Sequence, residues 1–191
     1  MVILYLQFSS LIAIVFDLLF QTVFANKYEF EFLEAKIFKR CSKFPNNFLD
    51  QALDLSNWEV GKTDEGTLIM DGYIVLKRSY DHLLPFSMEL LKRERGTYQP
   101  TTINIKRLDS CKATFDKYDV IFNYVKETPK DQTKCPFKKG QIVTMKVSKP
   151  VLVYIPSRNA AGEYLIHVEI GNRTDMSTFL CSEIPVNVHK V

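Results

Sequence analysis

The stretch Gly162-Glu163-Tyr164-Leu165-Ile166-His167-Val168-Glu169-Ile170 decides the fold class. Tyr164, Ile166, Val168 and Ile170 fall on one side, and Glu163, His167 and Glu169 on the other. That period of two is the mark of a strand with one buried face and one wet face. The rhythm recurs on either side of it. Tyr28, Phe30 and Phe32 alternate with Glu29 and Glu31. Leu68, Met70, Ile74 and Leu76 share one face, opposite Asp71 and Lys77. Phe86, Met88 and Leu90 alternate with Ser87 and Glu89, and Val143, Met145 and Val147 with Thr144 and Lys146. Leu180, Ile184, Val186 and Val188 carry the pattern to the end, and the runs Leu53–Val60 and Val151–Ile155 read as further strands. Turn residues punctuate these runs at 64–66, 81–85, 95–96, 156–162 and 171–175. About eight short antiparallel strands make an all-β sandwich or cup.

One segment departs from the rhythm. Cys111, Phe115, Tyr118, Phe122 and Val125 recur at steps of four and three, which predicts one short inserted amphipathic helix between Asp109 and Lys126. Asp109 is the expected N-cap.

The first 25 residues have a different character. MVILYLQFSSLIAIVFDLLFQTVFA contains no Lys or Arg and one acid, Asp17, and it ends in Val23-Phe24-Ala25 before polar Asn26-Lys27. Small residues at both of the positions read by signal peptidase predict a cleaved signal peptide over 1–25. A membrane anchor is the rival, although Asp17 near the middle of a span would cost roughly 2.5–3.5 kcal/mol. Residues 26–191 contain no repeat, linker or low-complexity tract and read as one domain. The whole chain of 191 residues is 46% apolar and 25% charged, with a net charge of +3. Basic residues are scattered rather than striped, which argues against a nucleic-acid partner.

The cysteines agree with export. Cys41, Cys111, Cys135 and Cys181 form no CxxC pair, and no histidine lies at zinc-finger spacing, so no metal is expected. An even number in a secreted chain implies two disulfides, with three connectivities open. Cys41–Cys181 with Cys111–Cys135 is the favoured pairing, one tying the ends and one closing a local loop. Asn172-Arg173-Thr174 is an N-glycosylation acceptor in a turn.

Catalytic signatures are missing: no nucleophile elbow, zinc-protease helix, P-loop or dinucleotide fingerprint occurs. His82, His167 and His189 read as solvated surface residues, and no thiol is left over for catalysis. Neither an enzyme nor a cofactor is expected. The inward face offers more. Trp58, Met70, Phe86, Met88, Phe122, Met145 and Ile166 are aromatic, flexible or branched apolar groups of the kind that line adaptable pockets as well as ordinary cores.

Tyr28-Glu29-Phe30-Glu31-Phe32, Arg95-Gly96-Thr97-Tyr98-Gln99-Pro100-Thr101, Asp109 to Lys117 (DSCKATFDK), Cys135-Pro136-Phe137-Lys138-Lys139-Gly140 and Gly162-Glu163-Tyr164 are blocks that resemble the insect chemosensory B (CheB) proteins. The resemblance runs along residues 26–191. Those proteins look like distant relatives of the ganglioside activator and of ML-type lipid-recognition proteins, although the activator carries more bridges than four cysteines allow. The resemblance implies a single ganglioside-activator-like β-cup with an apolar interior cavity. It further implies a secreted binding protein for lipid-like or other hydrophobic ligands, serving contact pheromone perception. A cavity of several hundred Å³ between the sheets, in the range of ligand pockets, is then expected. The alternative is a secreted signalling or co-receptor protein with a solid core. Such a protein would touch a membrane receptor, or a membrane transiently, through apolar loop tips at Leu83-Leu84-Pro85 or Val153-Tyr154-Ile155.

Overall fold

The computed structural model describes residues 26–34, 36–62, 68–80, 83–147, 151–155 and 159–191. The expected signal segment 1–25, the turn at 64–66 and His82 lie outside them. Ten strands occur among the described residues. They are β1 (Asn26–Phe32), β2 (Leu53–Asp54), β3 (Trp58–Lys62), β4 (Leu68–Leu76), β5 (Phe86–Glu94), β6 (Thr97–Arg107), β7 (Ile142–Thr144), β8 (Val151–Ile155), β9 (Gly162–Ile170) and β10 (Leu180–Lys190). The all-β antiparallel class is as the alternation predicts.

Six strands form one sheet in the order β6-β5-β9-β10-β1-β8, with every neighbouring pair antiparallel. The smaller sheet is built around β4. Val75 pairs with Asp54 on one edge and Ile142 on the other, while Met70 pairs with Val60 and bridges to Val147. So β2 and β3 share one edge of β4, and β7 takes the opposite edge. Met70 packs in one buried cluster with Leu90, Val168 and Ile184 of the larger sheet, so the two sheets lie face to face.

The count rises from eight to ten for two reasons. The expected strand Leu53–Val60 is two strands, β2 and β3, separated by a turn in which Trp58 N donates to Leu55 O. This interruption lies opposite Gly72, whose φ of +127° is open to glycine but strained for other residues. A Cβ there would stand 2.0 Å from Asn57 O. The other addition is β6, an edge strand exposed along most of its length. With neither face fully buried it needs no apolar alternation, and Pro100 is tolerated in it.

The expected helix over 109–126 is instead two short pieces, α1 (Ser110–Phe115) and α2 (Phe122–Val125). Asp109 does cap α1, its carboxylate accepting from Lys112 N at 3.3 Å. The break comes from two aspartates that offer the backbone an alternative to helical bonds. Asp116, already extended at ψ 117°, accepts from Tyr118 N at 3.0 Å, and Asp119 accepts from Ile121 N at 3.0 Å. Tyr118, assigned by its spacing to the apolar face, is therefore 85% exposed.

Both disulfides have the favoured pairing, Cys41–Cys181 and Cys111–Cys135, spanning 140 and 24 residues. By loop-closure entropy these stabilise the fold by about 5 and about 3.5 kcal/mol. Gly72→Ala tests the close approach at the interruption between β2 and β3: backbone strain alone should cost roughly 1–3 kcal/mol, with the clash against Asn57 added, read as a lower denaturation midpoint in urea.

Candidate functional site: an apolar cavity between the sheets

A cavity of about 270 Å³ lies between the two sheets. That is just under the lower end of the ~300–1,000 Å³ range of ligand pockets. The strand alternation aims its walls. Met70, Ile74 and Leu76 of β4 project from one side, and Phe86 and Met88 of β5 with Ile166, Val168 and Ile170 of β9 from the other. The registers Met88↔Val168 and Ile166↔Ile184 bring those inward side chains into rows. Residues Ile37, Phe38, Leu49 and Ala52, from the connection between β1 and β2, add a side wall. No charged side chain lines the cavity among the described residues.

Six of the seven side chains singled out in the sequence meet here: Trp58, Met70, Phe86, Met88, Met145 and Ile166. Phe122 does not. It packs instead into a neighbouring cluster with Leu76, Val125 and Val143. The break at Asp116–Asp119 resets the helical phase, so Ile121, Tyr124 and Val125 of that segment reach the cavity in its place. Burial pushes the Tyr124 hydroxyl up to about 12, so it stays neutral.

Other lining residues escaped the sequence reading. Tyr80, Leu84, Ser110, Thr114 and Phe137 sit in connections and at the ends of elements, where no periodicity marks them. The Cys111–Cys135 bridge was their one signal, since it draws α1 towards the chain just before Phe137. Asp119 fixes this corner. Its carboxylate, 5% exposed, accepts from Arg107 Nε at 2.6 Å as well as from Ile121 N.

A polar cluster occupies the opposite face of β9. His167, expected at a solvated surface, is instead 13% exposed. Its Nε2 lies 3.2 Å from Glu169 and its Nδ1 3.7 Å from Glu183, with the sulfurs of Cys181 and Cys41 at 3.7 and 3.9 Å. The chain from Lys39 to Cys41 runs along β10 and covers it, a long-range contact that the local pattern cannot show. The ligand atoms of Cys41, His167 and Cys181 lie within 4.8 Å of one another, but both sulfurs are committed to the disulfide and offer no thiolate. Burial works against ionising Glu169, yet hydrogen bonds from Arg173 and His167 outweigh it and hold the carboxyl below its ordinary value. His189 is partly exposed at the end of β10, 3.6 Å from Glu29. Asn172 is exposed in the connection between β9 and β10, its side-chain oxygen accepting from Thr174 N at 2.8 Å.

No protein-family model matches the chain, and no curated protein matches it. Among solved structures, the chain is similar to a Niemann-Pick type C2 protein from the Japanese carpenter ant. Identity is 13%, with 82% of this chain and 96% of that chain covered, at a TM-score of 0.30. So low a score adds nothing on fold or ligand, and the site stands on its own geometry. Among the described residues no helix is long and apolar enough to cross a membrane.

Two outcomes follow from this geometry. Asp119→Ala leaves Ile121 N and the Arg107 guanidinium without their partner and should cost roughly 1–3 kcal/mol, measured by chemical denaturation. The lowered pKa of Glu169 contributes stability that is present above its unfolded value and lost as pH falls through the folded one. Thermal melts of the wild type should therefore fall more steeply with acidification below pH 4.5, the ordinary carboxyl value, than those of Glu169→Gln. Parallel profiles would remove Glu169 from the acid response.

Proposed function

We propose that the chain is a secreted carrier of lipid-like or other hydrophobic molecules, acting in contact chemosensation and pheromone perception. The observation that carries this reading is the cavity of about 270 Å³ with no charged side chain among the described residues of its lining. Such a site needs no catalytic group. Moving a hydrocarbon chain into it from water gains about 0.8 kcal/mol per CH₂, which suits a molecule that is nearly insoluble and must cross an aqueous phase. Met70, Met88 and Met145 are flexible and polarisable, and they let the walls fit chains of different shape. Export is supported by the signal-like residues 1–25, the paired cysteines and the exposed acceptor Asn172. The chemosensory role rests on the resemblance of the blocks at 95–101, 109–117 and 135–140 to the chemosensory B proteins.

A second reading, a signalling or co-receptor protein that touches a membrane receptor, draws on different residues. Leu83 is 58% exposed, and Tyr154 is 69% exposed on β8, an edge strand of the larger sheet. Leu84, between Leu83 and Pro85, is buried and lines the cavity, so that loop presents one apolar side chain rather than a run.

Native mass spectrometry with lipid extraction, on protein purified from a eukaryotic secretion medium, separates the two. A lipid or hydrocarbon that co-purifies and is released on unfolding is the expected result. An empty protein that also ignores fatty-acid and hydrocarbon probes would reject the carrier in favour of receptor contact.

A further inference from the structure

Three buried side-chain atoms lack a hydrogen-bond partner among the described residues: Trp58 Nε1, the Tyr80 hydroxyl and Ser110 Oγ. All three residues line the cavity. Buried polar atoms in native proteins are nearly always paired, and each orphan costs roughly 1–3 kcal/mol. Three orphans in one cavity therefore describe what is missing from it. Tyr80 is 4% exposed and Ser110 6%, and the orphaned atoms themselves are buried.

Two of the three are linked through Leu84. Ser110 N donates to Leu84 O at 2.8 Å, and Leu84 packs in the buried cluster that holds Tyr80. Trp58 approaches the same cluster through Phe38, which packs against it and whose ring lies 5.3 Å from that of Trp58. The indole N–H can only donate, so its missing partner is an acceptor; the two hydroxyls can donate or accept, so an acceptor oxygen is the one group that satisfies all three. Burial raises the Tyr80 pKa against a smaller lowering by Arg78, which keeps its proton in place at neutral pH. An ionised acceptor fits poorly, because a carboxylate would lose its water and find no cation in this lining. A bare alkane would leave all three donors as they are.

We propose that the cavity takes a neutral amphiphile, a hydrocarbon chain bearing an uncharged acceptor oxygen, and that the hydroxyls of Tyr80 and Ser110 hydrogen-bond that oxygen. This deepens the carrier reading and rests on it. The two hydroxyls are positioned to select among chains of equal length, while the apolar walls supply most of the affinity. Trp58 offers a further donor to a ligand with a second oxygen.

The test is displacement of N-phenyl-1-naphthylamine from the full secreted protein by dodecane, methyl dodecanoate and dodecanoate at neutral pH. Wild type, Tyr80→Phe, Ser110→Ala and the double variant are compared. The ester should bind wild type about tenfold more tightly than the alkane, as one good hydrogen bond allows, and the carboxylate more weakly than the ester. The double variant should bring the ester-to-alkane ratio close to one. Both single variants should melt, without ligand, no lower than wild type, because each deletes only an unpaired atom. That combination separates ligand recognition from a structural role, which would lower the melting temperature. Equal affinity for ester and alkane, tightest binding of the carboxylate, or an unchanged ratio in the double variant would overturn the proposal and leave the carrier standing. A lower melting temperature in the ligand-free Tyr80→Phe or Ser110→Ala protein would also overturn it, since the hydroxyl would then already be satisfied by trapped water. Failure of every compound, the fluorescent probe included, to bind wild type would reject the carrier and this proposal together.

Discussion

The chain crosses from the larger sheet to the smaller between β1 and β2, and everything else depends on how that crossing is held to β10. Lys39 and Glu183 exchange two backbone hydrogen bonds, at 2.8 and 2.9 Å. Cys41 is bonded to Cys181, and Cys181 N donates to Asn47 O at 2.6 Å. Ser182 Oγ adds a bond to Lys39 O, and Asn47 Nδ2 one to Phe179 O. Only after this stitching does the chain enter β2, so the smaller sheet hangs from the middle of the larger one. Ile37, Phe38, Leu49 and Ala52 line the cavity from the same crossing. The covalent tie that closes the fold thus also holds a wedge of apolar side chains between the sheets, and these line the space between them.

Much of this architecture can be read in the sequence because a strand buried on one face must alternate. β1, β4, β5, β9 and β10 all do, and their inward residues form the walls. Where a strand is not buried on one face, the signal disappears: β6 lies at an edge and shows none. Periodicity also misleads when side chains compete for the backbone. The four-three spacing from Cys111 to Val125 is real, but Asp116 and Asp119 accept from backbone amides and break the helix between its two halves. Phe122 consequently leaves the cavity and Ile121 and Tyr124 take up the role.

His167 and the pair Tyr80 and Ser110 were illegible for a different reason. A histidine on the polar side of a strand is normally wet, and only the crossing that covers β10 makes this one part of a largely buried cluster with two carboxylates. Tyr80 and Ser110 stand at element ends with no repeat to mark them. Their meaning depends on two distant segments meeting at Leu84, a tertiary fact with no local signature.

Met70, Met88 and Met145 all face the same cavity. Their thioethers give the walls their pliancy, and they also make the interior the chemically vulnerable part of the molecule. Conversion of a thioether to a sulfoxide places a strongly polar, chiral group where a soft apolar one stood. Where no described lining residue is charged, such a group would compete with any bound molecule for the few donors present. A disulfide-bonded protein that meets an oxidant is then best protected when the cavity is full, because an occupied interior shields the sulfurs from peroxide.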